Sequence, residues 1–223
     1  MCAIFGSFDI EKLRELKDLN AYRGEISGSL TLFMQDIVTT IKIFGEITPE
    51  HFKTLHNLNF IEGDYFYLGH IQAPTTEAAA DESVHPAIYH NGYDKLTSLW
   101  HNGIIKQREL DRINKENNSH YVWDTQMLCE SITNNGFESL SDIEGSFACV
   151  YVESDIDSRR ATCYIFRNEI SPLFVDDQLN ISSTKFEGSH SLEPGKVFKL
   201  DIVNRKLIDT NIRFKTKENP YFF

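Results

Sequence analysis

The sequence predicts an α+β protein in which two mainly antiparallel β-sheets carry helices packed against them. Three observations predict it. Strand-like apolar runs lie toward both ends of the chain, opening it at residues 2–8 and dominating it from residue 145 onward. Amphipathic, helix-prone runs lie between or beside them, at residues 9–20, 48–57, 107–115 and 124–134. The 223 residues are 41% hydrophobic with 16 Phe and 9 Tyr, enough to bury a sizeable core. Strands flanking a central pair of helices are naturally arranged as layers of sheet and helix.

The elements follow in order. The strand at residues 2–8 ends at Asp9, an N-cap for a helix in which Ile10, Leu13, Leu16 and Leu19 recur at three-residue steps with charges between them. Tyr22-Arg23-Gly24 reads as a loop before a strand at residues 29–34. Thr48 followed by Pro49 marks a helix start, because proline at the first helical position forfeits no hydrogen bond. Residues 65–70 and 96–100 are strands, the second ending in the loop His101-Asn102-Gly103. A helix follows at residues 107–115, and Asp124 caps another that runs through Asn134. Strands are expected at residues 146–153, 162–167, 173–175, 180–183, 196–200 and 206–208, separated by tight turns such as Glu193-Pro194-Gly195. No repeat, low-complexity tract or linker divides the chain, so a single domain over residues 2–223 is expected.

Composition narrows the functions. A formal charge of −11 without a compensating Lys/Arg run argues against a nucleic-acid-binding surface. Cys2, Cys129, Cys149 and Cys163 are too few and too scattered for a disulfide framework, and none pairs as C-x-x-C. Glu11, Lys12 and Arg14 interrupt the early apolar stretch, and no 18-residue apolar span occurs. The expectation is a cytoplasmic protein with no membrane partner. His51, His56, His85, His90, His101 and His120 lack the spacing of a helical zinc site, and no Gly-rich phosphate loop is present. Neither a metal nor another cofactor is expected.

Cys2 is the chemically suggestive residue. If the initiator Met1 is removed, this residue carries both a thiol and a free α-amine. An amine of ordinary pKa about 7.7–8.0 can take the proton of a thiol near 8.5, so nucleophile and base occupy one residue. On position alone, a buried thiol opening an edge strand is the better explanation of Cys2.

Short polar motifs at element ends favour the chemical reading. They are Tyr22-Arg23-Gly24, Gly69-His70-Ile71-Gln72-Ala73-Pro74-Thr75, His85-Pro86, Trp100-His101-Asn102-Gly103-Ile104-Ile105 and Trp123-Asp124-Thr125. After Met1-Cys2-Ala3-Ile4-Phe5-Gly6, and followed by Gly145-Ser146-Phe147-Ala148, Arg167-Asn168 with Pro172-Leu173, and Ile181-Ser182-Ser183, the series resembles the class II (N-terminal-nucleophile) glutamine amidotransferase domain. The resemblance runs from residue 2 to about residue 203. It implies a four-layer αββα sandwich and hydrolysis of the side-chain amide of L-glutamine through a Cys2 thioester. It further implies that the Asn102 side chain and the Gly103 backbone N–H stabilise the oxyanion, while Asp124 pairs with the substrate ammonium. The Arg23-Gly24 loop would shape the pocket, and Thr75 would bond the substrate carboxylate.

Two departures qualify the resemblance. Gln72 stands where most of the family has an arginine on that carboxylate, and Gln supplies hydrogen bonds without charge. This leaves room for weaker glutamine binding, a cation from elsewhere or a different linear amide. No acceptor or synthetase domain is expected after the terminal strands either, so the ammonia is expected to pass to a separately encoded synthetase or transferase. A glutamine-sensing or regulatory module with the same fold is the non-catalytic alternative.

Overall fold

The computed structural model describes residues 2–34, 37–58, 63–73, 83–158, 160–215 and 217. Two antiparallel sheets stack face to face. In the first, β1 (Cys2–Ser7) lies between β4 (Phe66–Gln72) and β10 (Ile181–Ser182). Beyond β4 come β2 (Ser27–Phe33) and the edge strand β3 (Val38–Phe44). Beyond β10 come β9 (Phe174–Val175) and β11 (His190–Ser191). The second sheet runs β13 (Lys206–Arg213), β12 (Lys196–Asp201), β8 (Arg160–Arg167), β7 (Ser146–Asp155), β6 (Lys95–Ile104) and β5 (Ala87–His90).

Strand alternation sorts the side chains into layers. In β1, Ile4 points between the sheets to meet Phe66, Leu68, Trp100, Val150 and Ile165. Ala3 and Phe5 point the other way, onto α1 (Ile10–Asn20) and α2 (Pro49–Asn57), which contribute Leu13, Leu16, Phe52 and Leu55. On the far side of the second sheet, α3 (Gln107–Asn117) and α4 (Asp124–Asn135) bury Leu110, Met127 and Leu128 against Leu99, Phe147 and Tyr151. This is the four-layer αββα sandwich. Asp9 caps α1 as expected, accepting from Glu11 N at 2.7 Å and Lys12 N at 3.1 Å, a contact typically worth about 1 kcal/mol.

The structure corrects several local expectations. His101-Asn102-Gly103 is not a loop: β6 continues through it to Ile104, because β7 pairs with the strand as far as Ile104↔Ser146. A complete ladder outweighs the turn preference of Asn-Gly. Asp124 is the first residue of α4 rather than its cap, and Trp123 occupies the cap position without a side-chain bond. The strands β3 and β5 were not anticipated, and β13 extends to Arg213 rather than Ile208. In β3 the β-branched run Val38, Thr39, Thr40, Ile41 carried the signal, but an edge strand with both faces partly exposed shows little alternation.

Candidate active site

The site lies at one end of the sandwich, where the first sheet brings three side chains into a row. Register places Cys2 opposite Gln72, and Gln72 opposite Ser27. Directly opposed residues of antiparallel strands share a face. This row therefore lies on the face that Ile4, two residues after Cys2, turns toward the second sheet. Asn102 shares a face with Trp100, two residues before it on β6, and Trp100 packs between the sheets.

Cys2 is partly exposed, but burial of its thiol pushes the pKa up to about 12. The positive N-terminus and Arg23 oppose that shift, whereas Asp124 reinforces it. The resting sulfur is therefore a thiol, and a base must act when it attacks. Arg23 is committed to two carbonyls and a hydroxyl: it donates to Cys2 O at 3.4 Å and Ser183 O at 3.1 Å, and through Nε to Thr184 Oγ1 at 3.2 Å. Gly24 holds φ +108°, and a Cβ there would stand 2.5 Å from the Ala73 methyl. Only glycine lets the Arg23 turn close on the residue after Gln72.

Asn102 is buried and donates through Nδ2 to Ser183 Oγ at 3.0 Å, leaving its second amide proton uncommitted by that bond. Gly103 packs so closely on β7 that a Cβ would collide with the Ser146 carbonyl. Asp124 Oδ2 accepts from Ile105 N at 3.0 Å and lies 3.8 Å from His101 Nδ1, which ties the start of α4 to the Asn102-Gly103 strand. Thr75 lies outside the described residues.

Gln72 is buried, and both ends of its amide have protein partners. Nε2 donates to Ser83 O at 3.1 Å, and Oε1 accepts from His85 Nδ1 at 2.6 Å. The network continues from His85 Nε2 to Thr125 Oγ1 at 3.1 Å. Thr125 Oγ1 also lies 3.3 Å from His101 Nδ1, and His101 Nε2 donates to Ser146 O at 3.1 Å. His70 stacks on His85 with ring centroids 3.8 Å apart and donates through Nε2 to His101 O at 3.2 Å. Burial lowers the His70 pKa to about 3 and holds His85 well below its ordinary value, helped there by His70, His101 and Lys42. Among the described residues, no three His, Cys, Asp or Glu side chains converge as metal ligands.

The structure thus brings Cys2, Gln72, Asn102, Gly103 and Asp124 into one neighbourhood, with Arg23 and Gly24 behind Cys2. Two participants were missed as functional residues. Ser183 was read only as part of a strand, although the hydroxyl run Ser182-Ser183-Thr184 at a strand end was a signal. Thr125 is part of the Trp123-Asp124-Thr125 motif, but the sequence assigns it no role of its own.

Comparison with solved structures agrees with this architecture. The chain superposes on glutamine phosphoribosylpyrophosphate (PRPP) amidotransferase from B. subtilis, complexed with ADP and GMP, with a TM-score of 0.65 at 18% identity. It superposes on a second structure, described as the allosteric regulatory enzyme of purine biosynthesis, with a TM-score of 0.63 at 18% identity. Each match covers 95% of this chain and 50% of the other, so the chain spans about half the length of these neighbours. No family model matches the chain, and no curated protein matches it in sequence. At this identity the likeness establishes the fold alone, the αββα sandwich that the chain shares with these two structures. Among the described residues, no helix is long and apolar enough to cross a membrane.

Proposed function

We propose that this chain hydrolyses the side-chain amide of L-glutamine and passes the ammonia to a separate acceptor enzyme. The supporting observation is the juxtaposition of Cys2, at the head of β1, with Asn102, reached through Ser183, on a fold shared with PRPP amidotransferase. With Met1 removed, the Cys2 amine takes the thiol proton as sulfur adds to the γ-amide carbon. The Asn102 amide and Gly103 N–H receive the negative charge that builds on the carbonyl oxygen. The C–N bond then breaks, and ammonia leaves with the proton carried by the amine. Water opens the thioester, so glutamine and water yield glutamate and ammonia. Asp124 pairs with the substrate ammonium.

One observation favours a second reading. Because Gln72 is held by Ser83 and His85, those bonds leave it at most one amide proton and no charge for a substrate carboxylate, and a linear amide lacking that group becomes an alternative. Intact mass, glutamate release and labelling by a diazo-ketone glutamine analogue together test the proposal. The expected result is loss of Met1, glutamate formation and one adduct confined to Cys2. Adducts at Cys129, Cys149 or Cys163 would reject the nucleophile assignment, and turnover of other amides but not glutamine would select the second reading.

A further inference from the structure

We propose that Ser183 is a positioning residue that sets the Asn102 carboxamide against the nucleophile strand. Ser183 is fully buried, and its Oγ accepts from two donors: Ile4 N at 2.9 Å and Asn102 Nδ2 at 3.0 Å. A hydroxyl oxygen has two lone pairs, and both are committed. Ile4 follows Cys2 by two residues on the same strand face, whereas Asn102 belongs to the opposite sheet. One oxygen atom therefore joins the strand that carries the sulfur to the proposed oxyanion donor. The bond also holds the nitrogen of the Asn102 amide, rather than its oxygen, toward Ser183.

Ser183 is itself held from several directions. Its N–H donates to Ile4 O at 2.8 Å, and its carbonyl accepts from Arg23. On one side Ser182 Oγ accepts from Asn20 Nδ2 at 2.8 Å, and on the other Thr184 Oγ1 donates to Asn20 Oδ1 at 2.8 Å. The end of α1 and the turn after it thus grip the whole hydroxyl run. A donor preorganised in this way loses nothing to reorientation as charge develops. Arg23 gains a concrete role, holding Ser183 and Cys2 through their carbonyls.

The kinetic arm of the test rests on the glutamine-hydrolysis proposal. Ser183→Cys keeps the packing but replaces the oxygen with a weak acceptor. Ser183→Cys and Ser183→Ala should lower kcat about 10- to 100-fold, the scale set by a misplaced oxyanion donor, with KM within about two-fold of wild type. In an Asn102→Ala background, Ser183→Cys should cost almost nothing more. A Ser183→Cys protein with wild-type kcat, or losses that multiply with Asn102→Ala, would overturn the proposal. The second arm needs no turnover: the Asn102 side-chain NH2 signals in a ¹⁵N-resolved NMR spectrum should move on Ser183→Cys, and unchanged signals would overturn it. If the wild-type protein releases no glutamate, the hydrolysis proposal fails separately and the NMR arm alone decides the role of Ser183.

Discussion

Gln72 accepts a hydrogen bond from His85 across 2.6 Å, and its far end dictates the direction of that bond. The Ser83 carbonyl can only accept, so it fixes Nε2 of Gln72 on its own side and turns Oε1 toward His85. An amide oxygen cannot donate, so His85 carries its proton on Nδ1. Burial keeps the ring neutral, which leaves Nε2 as an acceptor facing Thr125. The residue that departs from the amidotransferase pattern is thereby a fixed part of a buried polar chain.

Gln72→Arg should therefore destabilise the protein rather than improve it. A guanidinium has only donors, so it cannot accept the Nδ1–H of His85: the ring must switch tautomer or face it unpaired, and the guanidinium's remaining N–H groups are buried without the Gln72 partners. An unpaired buried donor costs about 1–3 kcal/mol, which should appear as a lower urea midpoint with unchanged slope. Glutamine use should not improve. An unchanged midpoint together with a lower KM would show that the His85 bond does not constrain this position.

The thiol pKa near 12 bears on the pH dependence of turnover. If the Cys2 amine is the base, activity requires that amine deprotonated. It should rise with pH through about 7.7–8.0 and level off well below the titration of the thiol. Protein retaining Met1 should show no such rise. A profile still climbing above pH 10 would identify thiolate formation, rather than the amine, as the limiting ionisation.

Much of this arrangement was legible in the sequence, for reasons that differ among residues. The α1 cap at Asp9 and the three-residue apolar steps behind it are local signals, and local physics honoured them. The Asn102-Gly103 pair misled because its turn preference is local, whereas its pairing with β7 depends on residues more than 40 positions away. Asp124 misled similarly: its composition suits a cap, but the Ile105 N–H claims the carboxylate. Gln72 and Ser183 carry roles visible only once Ser83, His85 and Ile4 are in place, and those neighbours come from distant parts of the chain.

Asn102 and Asp124 should separate kinetically. Asn102→Ala removes a donor that matters most once the oxyanion forms, so kcat should fall about 100- to 1000-fold with a small change in KM. Asp124→Asn retains an acceptor for Ile105 but removes the charge proposed to pair with the substrate ammonium, so on that proposal KM should rise more than kcat falls. Steady-state glutaminase assays on both variants test the assignment. Changes confined to KM in both would remove Asn102 from the oxyanion role.

The buried His70 and His85 predict how the fold responds to acid. Both have folded-state pKa values below the ordinary 6.5, about 3 for His70, and burial is the leading cause for each. As pH falls below 6.5 the unfolded chain takes up two protons that the folded protein refuses, so stability declines with acidification. It should keep declining until the folded rings titrate. The slope is about 1.4 kcal/mol per pH unit for each ring, which amounts to roughly 2 kcal/mol per ring between pH 7 and pH 5. His85→Asn tests the origin of the effect, because an asparagine amide can place an N–H toward Gln72 Oε1 without titrating. Urea unfolding of this variant should show about half the wild-type loss over that interval. An equal loss in both proteins would mean that His85 contributes nothing to the acid sensitivity, and that its burial does not hold it neutral.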